Sequence, residues 1–405
     1  MSKVKVSIIG GYGGMGRLMA KLFLEYDCEV TLCGPNPVKG AKVAEEIGAS
    51  FDKDNREAAG RADVVVVSVP IRKTVEVIRE VAPSVGKDCL IMDLTSVKQE
   101  PVEAMQEYSG DEVQVCGCHP VFGPSVSSVA GQVFVLTPGG EGRWFNWLRE
   151  LLVDAKAKVI VSTPKEHDEA MAVVQGLTHF TYISAAKTFR DLGFDVKSSR
   201  RFSSPVYELM LDMIGRIIGQ DPRLYAEIQM MNPATPRVHE AYLKAAGEIK
   251  GLVAGKDEES FVREMASAAR HFGDTNAAMG RSDKAINALA YELNKLKNQV
   301  GEKVCVKHIY SGVMHYGRLE GVEPDSVTLD LADGEKKIRL SNIRLTSKNE
   351  EMRFRASKYG LVGRDYSILV PEAAIAGRVS EVLGSLLDVE SVEVLDEYRG
   401  EPLGE

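Results

Sequence analysis

The run Val4-Lys5-Val6-Ser7-Ile8-Ile9-Gly10-Gly11-Tyr12-Gly13-Gly14-Met15-Gly16 decides the fold. Its first half, VKVSIIG (4–10), has the β-branched texture of a strand, and Gly11 to Gly16 fit the spacing G-x-G-x-x-G. Beyond them Met15, Leu18, Met19, Leu22 and Phe23 recur at three- and four-residue intervals, one apolar helical stripe able to cover a sheet. In such a turn one glycine makes the bend, one lets a pyrophosphate approach the backbone, and one lets helix pack closely on strand. The pyrophosphate would rest on the amides and positive end of the helix. A dinucleotide site is therefore expected at Gly11, Gly13, Gly14, Met15 and Gly16, with Asn36 and Ser68 at the ends of later strands.

Six further strand candidates follow: CEVTLC (28–33), ADVVVVSV (62–69), CLIMDL (89–94), EVQVCG (112–117), QVFVLT (132–137) and AKVIVS (157–162). Helical patterns lie between several of them, which is the alternation of an α/β parallel sheet of Rossmann type over residues 1–163. The texture changes at Thr163-Pro164-Lys165-Glu166, where a cap, a first-turn proline and a glutamate three residues after the cap open a helix. From there to about Gln299 the pattern is helical, broken near Gly193, Asp221-Pro222, Asn232-Pro233, Gly255 and Gly273, so an all-α domain over 164–299 is expected. Its long apolar helices suggest a homodimer.

After Asn298 the pattern turns β-rich. Val327, Leu329 and Leu331 alternate with polar neighbours, Asp333-Gly334 supplies a hairpin turn, and Ile338 and Leu340 resume the alternation. A small barrel-like unit is expected over 300–347. A final α+β unit, 348–405, reads as strand DYSILV (365–370), a helix carrying Ile375, Val379, Val382, Leu383 and Leu386, and strand SVEVLD (391–396).

The 405 residues are 27% charged and 44% hydrophobic, with a formal net charge of −8. No apolar run reaches the ~18 residues of a membrane helix, and the N-terminus leads into a strand without a signal-peptide pattern. The net charge disfavours nonspecific nucleic-acid binding. Six cysteines (28, 33, 89, 116, 118, 305) make no disulfide scaffold, so a reducing, cytoplasmic setting is expected. Cys116-x-Cys118-His119 is not read as a metal site, because alternate strand residues face opposite ways and no second ligand pair stands nearby.

An NAD site usually carries Asp or Glu at the end of the second strand. Here the strand ends Cys33-Gly34-Pro35-Asn36-Pro37, with Lys39 just beyond. Without the carboxylate a 2′-phosphate meets no repulsion, so the cofactor is expected to be NAD(P) with a slight lean to NADP.

Two loops then fall at the carboxyl edge of the sheet, where ligands sit in such folds. Asp93-Leu94-Thr95-Ser96-Val97-Lys98 follows one strand and Gly117-Cys118-His119-Pro120-Val121-Phe122-Gly123-Pro124 another. Together they bring Ser96, Lys98 and His119 towards the nicotinamide.

These residues carry a family resemblance. GGYGGMGRLMAKLF, DLTSVK, HPVFGP, EHDEAMAVVQGLTHF and SSPVYELMLDMIGRIIGQDPRLYAEI together resemble prephenate dehydrogenase, above all the dehydrogenase half of the bifunctional enterobacterial enzymes, over residues 4–290. The chain departs from that form at both ends, with no chorismate mutase helix before Val4 and about 100 further residues after the helical domain.

The resemblance implies oxidative decarboxylation of prephenate to 4-hydroxyphenylpyruvate, the penultimate step to tyrosine. His119 is then the acceptor of the ring-hydroxyl proton, a role that suits a neutral imidazole, and Ser96 the hydroxyl that orients it. Arg216 and His179 match substrate-binding positions, Gln220 lies four residues beyond Arg216 on the same helix face, and Lys98 is a charge near substrate or cofactor. His167 is a motif member assigned to the helix start. By analogy with small β-rich units attached to amino-acid biosynthetic enzymes, which often sense end product, tyrosine is expected as a feedback ligand. Arogenate is the alternative substrate, and a dinucleotide-sensing regulator the alternative of another class.

The C-terminal units resemble other modules more faintly. Residues 302–347 are similar to an Sm-like or SH3-like barrel, and 351–405 to the ferredoxin-like anticodon-binding module of phenylalanyl-tRNA synthetase. Residues 301–405 hold 14 Lys and Arg against 19 Asp and Glu, which opposes RNA binding and favours a regulatory or assembly role.

Overall fold

The computed structural model describes residues 3–371, 373–386 and 389–397. The chain divides into two compact units, 1–268 and 269–405.

The first unit opens with an eight-stranded sheet: β1 (Lys5–Ile9), β2 (Glu29–Cys33), β3 (Ser50–Asp52), β4 (Val64–Val67), β5 (Leu90–Asp93), β6 (Gln114–Pro120), β7 (Val133–Pro138) and β8 (Lys158–Val161). Their order is β3-β2-β1-β4-β5-β6-β7-β8. All neighbours run parallel except β6 and β7, which are antiparallel. The link between those two carries no helix, and a parallel pair needs a crossover element, so the chain simply turns back. The three-residue edge strand β3 is too short to show a period in the sequence.

Strand β4 shows why the sheet is central. Its four valines are fully buried, with Val64 and Val66 in one core and Val65 and Val67 in the other. Alternate strand residues face opposite ways, so an unbroken apolar strand is one covered on both faces. On the first face lie Met19, Leu22 and Phe23 of the helix Gly14–Glu25, with Met15 and Leu18 half-buried beside them, so the expected stripe does cover the sheet. Ile78, Val81 and Met105 of the helices Ile71–Val81 and Gln99–Tyr108 close the second face.

Thr163 then caps the helix Pro164–Met171, its hydroxyl accepting from the Glu166 amide at 3.2 Å. This helix runs through a π turn, Ala172–Leu177, into the helix Thr178–Asp191. The helices Pro205–Ile218, Pro222–Met231, Thr235–Gly255 and Glu258–Phe272 follow. Asp221 caps the second of these by accepting from the Arg223 amide, so the expected break at Asp221-Pro222 is a cap followed by a first-turn proline.

The second unit is a five-stranded antiparallel sheet with helices. Strands β9 (Lys303–His308), β10 (Met314–Val322), β11 (Ser326–Leu331), β12 (Gly334–Arg339) and β13 (Ile343–Leu345) stand in the order β12-β11-β10-β9-β13. Leu331 pairs with Gly334 across the expected hairpin turn. The core is Val304, Val306, Leu319, Val327, Leu329, Ile338 and Ile343, and Leu296 completes it. Leu296 belongs to the helix Thr275–Lys297, and Glu292 of the same helix accepts the Leu345 amide at 3.1 Å. An expected boundary at residue 299 therefore cuts through a packed unit.

The last segment departs from expectation. The helix Ala376–Gly384 forms, but residues 365–370 and 391–396 are not strands. Tyr366 and Leu369 are strongly exposed, and neither segment has a ladder partner among the described residues, without which an extended run is not a strand. Residues 398–405 lie outside the described residues. Among the described residues no helix is long and apolar enough to cross a membrane.

Candidate functional site

The glycine run lies between the carboxyl end of β1 and the helix Gly14–Glu25. Gly13 is that helix's N-cap, with no side chain on its amides and no acidic residue in the first turn. Gly16 is required by close approach: a Cβ there would come within 2.8 Å of the Gly10 carbonyl oxygen and the Gly11 Cα. Gly11, Gly13, Gly14 and Met15 complete a bare, positively polarised cradle that fits a pyrophosphate. Ser68 follows β4, its amide donating to the Ile9 carbonyl at 2.7 Å. Asn36 caps the helix Pro37–Ile47, its side-chain oxygen accepting from the Lys39 amide at 3.0 Å.

The loop after β5 is tied down from inside. The Lys98 side chain is completely buried, its ammonium paired with the Asp93 carboxylate and donating to the Cys118 carbonyl at 3.2 Å. Asp93 also accepts from the Thr95 amide. The expectation that Lys98 meets substrate or cofactor is corrected here. A buried charge needs its partner, so this lysine braces the loop against β6 rather than facing a ligand. Ser96, half-buried, rides on the braced loop.

His119 lies near the end of β6 and is only 2% exposed. Its Nδ1 is 2.8 Å from Nε2 of His167, whose own Nδ1 is 2.8 Å from the Asp168 carboxylate. Asp168 also accepts from the amides of Lys98 (2.8 Å) and Gln99 (3.0 Å). Burial pushes the Asp168 carboxyl up, but the His167 hydrogen bond and the two amides outweigh it and hold the group below its ordinary value. An ionised Asp168 must accept from His167, so His167 accepts from His119 Nδ1–H. That fixes the His119 tautomer and leaves Nε2 with a free lone pair. Burial, then the charges of His167 and Lys98, hold the ring well below 6.5, hence neutral. Facing that lone pair at 3.4 Å is the Gln175 side-chain nitrogen, raised by the π turn.

The reading of His167 as a helix-start residue missed this chain, and Asp168 and Gln175 were not anticipated. The EHD triplet was a signal, since a histidine and an aspartate in the first turn of a helix following the site's own sheet can turn back onto it.

In the helical region, His179 sits edge-on to Tyr225 with ring centroids 4.7 Å apart. Its Nδ1 is buried with no hydrogen-bond partner among the described residues, and burial lowers its pKa. The Tyr225 hydroxyl is pushed up by burial while the Arg216 charge pulls it down, which places the guanidinium in the neighbourhood of this pair. Arg216 stands exposed in the last turn of its helix. Gln220 differs from expectation: the helix ends at Ile218, and the Gln220 side-chain nitrogen donates to the Arg216 carbonyl at 2.8 Å, closing the helix end.

Residues 20–161 match the family model of the prephenate dehydrogenase nucleotide-binding domain, and 163–267 that of its dimerization domain. A probable arogenate/prephenate dehydrogenase of Methanocaldococcus jannaschii is 40% identical over 100% of this chain and 91% of its own. The T-protein of Enterobacter agglomerans is 32% identical over 66% of this chain and 68% of its own. The crystal structure of prephenate dehydrogenase from Aquifex aeolicus with hydroxyphenyl propionate and NAD+ superposes with a TM-score of 0.57 at 20% identity, over 68% of this chain and 99% of that one.

Proposed function

This chain belongs to the prephenate dehydrogenase family, as an NAD(P)-dependent oxidoreductase of tyrosine biosynthesis, and we propose how its residues divide the work. The ring hydroxyl of prephenate gives its proton to His119 Nε2. The cofactor, when bound in the glycine cradle, supplies the hydride acceptor. As the hydride leaves the carbon bearing that hydroxyl, the ring carboxylate departs as CO₂ and the ring becomes aromatic. His167 and Asp168 hold the His119 tautomer and stabilise the imidazolium that forms, and Ser96 orients the hydroxyl. His179 and Arg216 hold the substrate's carboxylate end, where a guanidinium matches carboxylate geometry. The observation that carries this reading is the buried His119–His167–Asp168 chain, which a dinucleotide sensor would not need.

The cofactor lean is to NADP, supported by the missing carboxylate after β2. Arogenate, which shares the ring hydroxyl and both carboxylates, is the second substrate, in keeping with the double name of the Methanocaldococcus relative. The chain works as a homodimer through the stretch matching the dimerization domain, whose helices expose Leu243, Val253, Val262 and Met265. Tyrosine, which has the aromatic ring of the product and the amino-acid end of arogenate, is the feedback ligand. Six free thiols suit a cytoplasmic setting.

The test is purified protein with prephenate or arogenate, each with NAD and NADP, followed by reduced-cofactor absorbance. Turnover with prephenate or arogenate is expected. Cofactor binding with no turnover of either would reject the reading and favour a sensor.

A further inference from the structure

Tyr12, the first variable residue inside the glycine motif, leans across from the β1 loop to the loop after β2. Its hydroxyl accepts the Asn36 backbone amide at 3.0 Å. Its ring closes the space beside Gly34: a Cβ built there would meet Tyr12 Cε1 at 2.6 Å and Cζ at 2.9 Å. Gly34 itself has φ +154°, a conformation that L side chains rarely adopt. The position from which a carboxylate would reach the adenosine ribose is therefore closed twice, by backbone and by ring.

The same ring carries a cation. Lys39 Nζ lies 5.5 Å from the ring centroid and has no carboxylate partner among the described residues. Arg17, the cation directly after the motif, is by contrast paired with Glu46 at 2.9 Å. The Asn36 side chain is used in capping the Lys39 amide, which holds Lys39 in the first turn of its helix, beside Tyr12. An ammonium resting on a ring face is weakly held and readily exchanges that contact for a phosphate dianion.

We infer that Tyr12 is the residue that sets cofactor choice, by taking the ribose carboxylate's place against Gly34 and presenting Lys39 to a 2′-phosphate. This rests on the NADP reading above and deepens it. The neutral phenol neither repels the extra phosphate nor leaves room for the acid that would, and the cation beside it favours the phosphorylated ribose.

The experiment is calorimetric titration of the full-length chain with 2′,5′-ADP and with 5′-AMP, adenosine fragments that differ only in the 2′-phosphate and need no turnover. The wild type is expected to bind the 2′-phosphorylated fragment at least about tenfold tighter, the usual worth of one charge-assisted contact. Lys39→Met should bring the ratio of the two dissociation constants close to one. Tyr12→Ala should lower it as far, although no charge is removed, whereas Tyr12→Phe, which keeps the ring, should preserve it. Should the alanine variant melt early, Tyr12→Leu fills the same space without a π face and is expected to lower the ratio likewise. A ratio unchanged in the alanine or leucine variant, with the wild type preferring 2′,5′-ADP, overturns the role of Tyr12 alone. A wild-type preference for 5′-AMP overturns the NADP reading and this inference with it, leaving the family assignment intact.

Discussion

His119 Nδ1 and His167 Nε2 lie 2.8 Å apart in the interior, joining a β-strand of the sheet to the first helix of the following region. The contact makes His167 the link between His119, the proposed proton acceptor, and Asp168. His119→Asn is expected to bind cofactor normally and lose turnover by about two to four orders of magnitude. Asp168→Asn keeps the shape but releases the tautomer, and should lower kcat by roughly two orders or more while KM changes little. Steady-state kinetics decide it: Asp168→Asn with near-full kcat would reduce His167 and Asp168 to packing.

The same burial sets the pH behaviour. His119 is held well below its ordinary 6.5, so it stays neutral through neutral pH and the acid limb of kcat/KM is expected below 6.5. For stability the sign is that of a depressed pKa. The unfolded chain takes up the proton near 6.5 and the folded chain resists it. The stabilisation is whole above 6.5 and is lost as pH falls through the folded value. Melting temperature should fall as pH drops from 6.5 towards about 5, less steeply in His119→Asn. Parallel profiles for the two proteins would assign the acid sensitivity to other groups.

Arg216→Ala should raise the substrate KM by about ten- to a hundredfold with a smaller change in kcat, because a carboxylate grip acts on ground and transition states alike. His179→Ala should follow the same pattern more weakly. An unchanged KM would place Arg216 outside the substrate site.

Gly34→Asp, which on sequence grounds would turn the enzyme towards NAD, should not do so here. The new side chain would meet the Tyr12 ring on a strained backbone, and the variant is expected to lose about 1–3 kcal/mol of stability. Differential scanning calorimetry would show it. A stable variant with improved NAD binding would mean that Tyr12 moves aside freely.

Truncation after Ala268, ahead of the second unit, should leave a protein that binds cofactor and keeps the chemistry while losing tyrosine inhibition or a defined assembly state in light scattering. A cut near Asn298 should behave worse, because it strands Leu296 without the apolar side chains that bury it. A soluble but inactive 1–268 fragment would place part of the active site in the second unit.

Much of this was legible in local patterns. The glycine run, the stripe ending at Phe23, the Thr163-Pro164 helix start and the Asp333-Gly334 turn each depend on neighbours within a few residues, and each stands where the pattern put it. His119 was singled out from its loop, and the structure buries it near the end of β6. What escaped depends on distant partners. Lys98 reads as a charge near substrate or cofactor until Asp93 is folded against it, and His167 reads as a helix-start residue until β6 brings His119 to it. The strand-like runs at 365–370 and 391–396 show the converse, because propensity without a partner strand leaves an extended chain.

The π turn at 172–177 bears on how one continuous helical run would serve both ends of the substrate in the proposed arrangement. His167 and His179 are twelve positions apart, which on an unbroken α-helix would set them about 120° apart around the axis. A π turn absorbs one position, as a single-residue insertion does, and brings them back to about 20°. The enzyme's reach thus depends on a count rather than on any side chain. Deleting Val174 is therefore expected to close the π turn into regular α-helix and leave His179 on the face it already occupies, since eleven positions at about 100° each also return to about 20°.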